Sequence, residues 1–403
     1  MDFSTITRIL SAILSLPFFD TVVNTEYHKY LQYLPLFLGG AVLALILTPI
    51  IGQIALKYDI TYKPGVKKNH KDFDNPEKAL HEGITPALGG LAVAIPVLLA
   101  IVFFFKLDSF TIPILLAFLV LTVGSTLDDI LNLPAKVQLG YQIIAALIIA
   151  ISVINLGNSS FIGIDFNLAT WDFSLLGLQL SLAFPGDLIL FFWILVCINA
   201  VKWTAGSPGI IEANSLTIFA LIFVIAIRYE SIFSSTLSIV AAGALLVFLV
   251  FAFPPQKIMS GSTGKTIYGF LICILAIVAD AKFSTTLMLI LVPVIDFIYV
   301  ILKRLIAYKP KSFSELLRIN DTSHLHHQLM KLNLTRGQIV LIEMVITLLI
   351  GSLAVLSTGA IRYFALILGA ALGIAFIVIA NIRASRQKTK NIKEKSPESR
   401  YSY

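Results

Sequence analysis

Residues 208–253 read PGIIEANSLTIFALIFVIAIRYESIFSSTLSIVAAGALLVFLVFAF. The apolar runs 208–228 and 233–253 are each long enough to cross a bilayer as a helix, at about 1.5 Å of rise per residue over about 30 Å of hydrocarbon. Between them, Tyr229-Glu230-Ser231-Ile232 supplies the polarity of a water-facing turn. The pattern recurs at 33–56, 86–105, 111–127, 139–157, 185–202, 265–280, 284–303, 337–357 and 361–382, which makes eleven runs. Composition points the same way. Of 403 residues, 57% are hydrophobic and 13% charged, with a mean hydropathy of +0.89. A soluble chain carries roughly 25% charge, so a soluble multidomain protein is excluded, and the abundance of Phe and Leu excludes a disordered one. The expected class is all-α, a polytopic membrane helix bundle of about eleven transmembrane helices.

Placing the 30 Lys and Arg on alternating sides puts 24 on one side and six, at Arg8, Lys29, Lys106, Arg228, Lys282 and Arg362, on the other. The positive-inside bias makes the crowded side cytoplasmic. The N-terminus is then expected outside and the C-terminus inside, in a cell (plasma or inner) membrane. Anionic lipid headgroups account for the net charge of +7, and no nucleic-acid partner is expected. Cys197 and Cys273 lie in apolar runs, without disulfide or zinc spacing. Three regions follow. Residues 1–32 form an external amphipathic segment, 33–382 the membrane domain, and 383–403 a basic, disordered cytoplasmic tail. Alternating apolar positions within 161–182 fit either a small external β-hairpin or an irregular loop.

Four polar groups fall at the cytoplasmic helix ends. Asp128-Asp129 closes the third run, where the helix dipole opposes carboxylates, so the pair needs a reason. Neighbouring helix residues point about 100° apart, which lets one face the bundle and the other water. The reason is either phosphate, metal or proton chemistry, or a solvated end paired with Lys136. The second group is Asn199 to Gly209, a tight turn containing Lys202, Gly206, Ser207 and Pro208. Gly261-Ser262-Thr263-Gly264-Lys265-Thr266 opens the eighth run and looks like part of a phosphate loop. The glycine spacing of a nucleotide-hydrolysing loop fails, however, and no strand precedes it, which leaves a generic anion-binding helix start. The fourth group, His324-Leu325-His326-His327, sits in a basic loop. If helical, it puts His324 and His327 on one face. Asp296 and Glu343 are costly inside the membrane and need partners. Asp296 is expected at the cleft, Glu343 in a contact between helices.

Taken in order, these groups resemble the polyprenyl-phosphate N-acetylhexosamine-1-phosphate transferase family, glycosyltransferase family 4, over roughly residues 33–336. The resemblance rests on His81 with Thr85-Pro86 and Gly89-Gly90, Gly124 with Asp128-Asp129, Lys136 and Gln142, Pro293 with Asp296, and Asp321 with His324, His326, His327 and Leu329. It implies a membrane phosphotransferase that moves a sugar 1-phosphate from a UDP-amino sugar to a polyprenyl phosphate, as in cell-wall or surface-glycan synthesis. It also implies Mg²⁺ as cofactor and a homodimer as the common assembly. Carried over residue by residue, it makes Asp128, Asp129, His324, His326 and His327 catalytic, with Asp128 and Asp129 as metal ligands. His81, Lys136, Asn199, Lys202, Gly206, Gly261, Gly264, Lys265 and Asp296 become substrate-binding.

The chain departs from the family pattern at defined places. Lys202, Ala205 and Pro208 stand where the family has an Asn and two Asp, and Ser262 stands at its usual metal-binding Asp. Two readings follow. In one, an active transferase uses Lys202 and Lys265 to neutralise phosphate charge directly. In the other, an impaired homologue binds lipid phosphate or nucleotide sugar without turnover. A transporter would place its polar residues near the midplane at broken helices, whereas here they gather at one set of helix ends.

Overall fold

The computed structural model describes residues 28–63, 84–154, 167–279, 283–312, 315–316, 319 and 323–395. A helix occupies each of the eleven apolar runs: α1 (Leu34–Lys57), α2 (Leu91–Phe104), α3 (Thr111–Leu131), α4 (Ala135–Ala150), α5 (Gly186–Trp203), α6 (Ile210–Arg228), α7 (Ile232–Ala252), α8 (Gly261–Val278), the pair α9 (Phe283–Leu289) and α10 (Leu291–Tyr308), α12 (Arg336–Leu356) and α13 (Ile361–Lys395). A short helix, α11 (Leu325–Met330), carries two of the histidines. Among the described residues, eight helices are long and apolar enough to cross a membrane, or nine if α9 and α10 form one span bent by 75°. The other two, α2 and α4, are shorter apolar helices.

The departures from the expected spans have local causes. Residues 86–90, predicted to open the second span, pair with another segment instead. Met259 N–H donates to the Pro86 carbonyl (3.0 Å), Gly89 N–H to Met259 (3.0 Å) and Gly90 N–H to Ser260 (2.9 Å). In the ninth run, Pro293 has no N–H for the Leu289 carbonyl, so the i→i−4 ladder fails where the helix bends. At the C-terminus the expected irregular tail is helical as far as Lys395. The apolar face of α13 extends through Ile377 and Ala380 to Ala384, all buried, so the helix continues past the end of the predicted span.

Two small antiparallel sheets are present among the described residues. β1 (Thr61–Tyr62) pairs with β2 (Thr85–Pro86). β3 (Asn167–Leu175) and β4 (Leu178–Pro185) form the hairpin, displaced a few residues from 161–182, and residues 161–166 lie outside those described. Its two-residue turn has positive φ at both Leu176 (53°) and Gly177 (81°), the geometry that suits the twist of a tight hairpin. Gln179 N–H anchors it to the Ser109 hydroxyl at 2.9 Å, over the loop between α2 and α3. Of the expected external segment, residues 1–27 lie outside the described residues, and His28–Leu31 form one helical turn.

Helix packing relies on close backbone approach, since burial of apolar area gains little between helices already in lipid. The α1–α7 crossing is reciprocal. A Cβ on Gly40 would strike the Val240 carbonyl, and one on Gly243 would strike the Phe37 carbonyl. Gly243→Val is therefore expected to force the helices apart and destabilise the bundle by about 1–3 kcal/mol, the usual range for overpacking. Thermal unfolding in detergent would show it, and an unchanged midpoint would remove this crossing from the account.

Candidate functional site

The C-terminal end of α3, the N-terminal ends of α4 and α8 and the chain at 61–62 and 87 meet at one end of the bundle. They enclose an open cleft of about 730 Å³, lined by Tyr62, Asp128, Asp129, Gln138, Gly261 and Lys265 among others. Asp128 and Asp129 divide as helix geometry dictates: Asp128 is buried and Asp129 half-buried.

Asp129 reaches across to the start of α8. Its carboxylate accepts from Ser262 N–H (2.5 Å), Thr263 N–H (3.1 Å) and the Thr263 hydroxyl (2.8 Å). The anion-binding helix start expected at Gly261–Thr266 therefore already holds an anion, and it comes from the chain itself. Gly261 makes this possible. Its φ is +65°, and a Cβ there would collide with the Ala87 carbonyl and the Asp129 carboxylate. From the core side, Glu212 grips the same turn, accepting from the Ser260 hydroxyl at 2.5 Å. Two carboxylates thus fix the α8 start from opposite sides.

Asp128 is held differently. Its Oδ1 accepts from Leu133 N–H (2.8 Å) and from Gln138 Nε2 (3.0 Å). Gln138 Nε2 also donates to the Leu133 carbonyl (3.0 Å), while its Oε1 accepts from Lys202 Nζ (2.6 Å). One amide therefore bridges a carboxylate and an ammonium, with its orientation dictated by both.

The histidines sit beside the cleft and do not line it. His324 precedes α11 rather than lying in it, because Asp296 takes Leu325 N–H (2.8 Å) at Oδ1 and His324 Nδ1 (2.8 Å) at Oδ2. His324 accordingly stacks on His326, with centroids 5.7 Å apart, and shares no helix face with His327. His326 is buried with its ring directly against Gly206, where any Cβ would clash. Burial, with His327 and His324 beside it, pushes the His326 pKa well below the ordinary range. The link to the cleft is the end of α5: Lys202 joins Gln138, and the next residue, Trp203, has its ring 6.4 Å from that of His324.

The other expected site residues are placed as follows. Lys136 is exposed and does not line the cleft, so it is not the partner of the aspartates. Asn199 Nδ2 donates to Gln142 Oε1 at 2.9 Å, deeper in the bundle. Gly264 packs against Gly90 behind the cleft wall, and Gly206 faces His326 instead of the cleft. Asp296 is buried as the orienting partner of His324. His81 lies outside the described residues. Gln138, Glu212 and Tyr62 are additions that the sequence reading did not single out. For Glu212 there was a signal, a carboxylate inside the apolar run 208–228.

The sequence profile of glycosyl transferase family 4 matches residues 111–280, which contain Asp128, Asp129, Lys202 and the α8 start. The chain is 27% identical over 369 residues to the "Probable undecaprenyl-phosphate N-acetylglucosaminyl 1-phosphate transferase" of Bacillus subtilis, covering 89% of this chain and 92% of that one. It is also similar to the "Phospho-N-acetylmuramoyl-pentapeptide-transferase" of Halalkalibacterium halodurans, at 26% over 302 residues, 71% of this chain and 86% of the other. The enzyme of the same name from Shouchella clausii matches at 28% over 232 residues, 54% and 67% of the two chains.

Two outcomes test the geometry. Gln138→Leu leaves Asp128 Oδ1 short of a donor and Lys202 without its acceptor, so a loss of about 1–3 kcal/mol is expected in detergent-solubilised protein. A fully stable variant would show that the bridge is not formed. Because the fold favours neutral His326, the unfolded chain takes up the proton more readily, and stability must fall as pH drops below about 6.5. His326→Gln should flatten that decline between pH 7 and 5.5 in melting curves, and an unaltered slope would refute the assignment.

Proposed function

The chain belongs to glycosyl transferase family 4, and we propose that its cleft transfers an N-acetylhexosamine 1-phosphate from a UDP-sugar to a polyprenyl phosphate. The observation that carries this reading is the union, at one end of an apolar bundle, of a carboxylate pair and the Lys265 ammonium in a single cleft, with a second ammonium, Lys202, bonded to the cleft-lining Gln138. An acceptor whose tail dissolves in lipid and whose phosphate stays in water needs such a place at the membrane boundary. The relative matched along most of both chains is named for a GlcNAc 1-phosphate transfer to undecaprenyl phosphate, which favours that substrate class. The cleft is assigned to the cytoplasmic side, where nucleotide sugars are made and where the sequence places most lysines and arginines.

In this reaction an oxygen of the lipid phosphate attacks the β-phosphorus of the UDP-sugar. The bond from that phosphorus to the bridging oxygen breaks, UMP leaves with the oxygen, and a lipid diphosphate sugar forms. Little covalent chemistry falls to the protein, so positioning and charge stabilisation dominate. Asp128, set in place by Leu133 and Gln138, is the group assigned to the lipid phosphate and its proton. Lys202 and Lys265 face the charge of the diphosphate. Asp129 holds the α8 start in register. His324, oriented by Asp296, and His327 are assigned to the donor side of the cleft, and buried His326 sets the 203–209 turn against α11.

Asp128→Asn keeps the shape and removes the charge. UMP release from UDP-GlcNAc and undecaprenyl phosphate in purified membranes is expected to fall by about 10²-fold or more. Turnover close to that of the unsubstituted protein would remove Asp128 from the reaction, and no UMP release from the unsubstituted protein would overturn the reading itself.

A further inference from the structure

Mg²⁺ serves this family in general, yet the side chains of this cleft do not fit a divalent ion. Such an ion takes hard oxygen donors, usually one or two carboxylates together with substrate phosphates and water. Here both Asp129 oxygens are engaged by Ser262 and Thr263 at the α8 start. Asp128 Oδ1 already takes two N–H donors. Across from the pair, position 262 offers a serine and adds no carboxylate free of such bonds. Among the described residues, no three His, Cys, Asp or Glu side chains converge on one point.

Charge argues in the same direction. Lys265 lines the cleft, and Lys202 is tied into it through Gln138. Two carboxylates and two ammonium groups sum to zero, so the site lacks the net negative field that concentrates a dication and repels a diphosphate. Each ammonium would face an incoming Mg²⁺ as a like charge in a half-buried setting, where such repulsion is strong. For a diphosphate the same two groups are compact, donor-rich cations of the kind that bind phosphate oxygens.

Resting on the transferase reading for the identity of the diphosphate, we propose that Lys202 and Lys265 take the place of a divalent ion, and that the chain binds the diphosphate of its donor without a resident metal. The charge that a metal would draw from the β-phosphate is met by two fixed ammonium groups. Their spacing is maintained by the Gln138 bridge on one side and the clamped α8 start on the other.

The experiment uses the full-length protein in nanodiscs, with UDP as the probe. Calorimetric titration in EDTA and in Mg²⁺ is expected to give dissociation constants within about twofold, and Lys202→Met and Lys265→Met each to weaken binding by about tenfold, as loss of a charged hydrogen bond would. Paramagnetic titration with Mn²⁺ alone is expected to show no stoichiometric site, whereas Ser262→Asp should create one. UDP binding that EDTA abolishes and Mg²⁺ restores, or one tight Mn²⁺ per unsubstituted chain, overturns the proposal. UMP release that stops on chelation overturns it as well while leaving the transferase reading intact. Absence of UDP binding in both buffers sinks the two together.

Discussion

A chain dissolved in hydrocarbon must satisfy its own backbone, and that constraint shapes everything else in this protein. Helices meet it along their length but leave unpaired N–H groups at one end and unpaired carbonyls at the other. Polar side chains are therefore admitted chiefly where helices stop. The cleft is assembled from three such ends, those of α3, α4 and α8, with the chain at 61–62 and 87 completing its wall. The bilayer also explains why small residues govern the crossings. Between helices already surrounded by lipid, close contact replaces the hydrophobic drive, as at Gly40 and Gly243.

The start of α8 is the hinge of the site. Its free N–H groups attract negative charge, and Asp129 supplies it from α3. Glu212 holds Ser260 from α6, and the segment at 86–90 ties the same turn by main-chain bonds. Three separate parts of the sequence thus meet on about four residues. That convergence leaves the cleft with a rigid wall on which Lys265 stands, and rigid placement is what a phosphoryl transfer asks of its protein.

A second hydrogen-bonded unit lies behind the first. Asp296 orients His324, His324 stacks on His326, and His326 abuts Gly206, while the end of α5 joins this unit to the cleft through Lys202 and Trp203. Asp296 is a positioning residue, since it acts through the imidazole it holds. Buried His326 is held neutral by its surroundings, which suits packing better than binding an anion. In the proposed reaction this leaves His326 a packing role, and the two lysines carry more of the phosphate charge than the histidine pattern in the sequence suggests.

Sequence alone determined the spans, since an apolar run of bilayer length has few other fates, and it determined that the polar groups gather at one set of helix ends. It also carried the resemblance to the transferase family and the substitutions at 202, 205, 208 and 262. It could not tell that Asp129 fills the α8 start, that Gln138 stands between Asp128 and Lys202, or that Asp296 draws His324 out of the helix. Each of these depends on a contact between residues 10 to 133 positions apart, and hydropathy along a chain carries no record of which helix end will face which. Only the tertiary structure decides that, because a hydrogen bond is chosen by distance and direction in space, whereas a membrane span is chosen by composition.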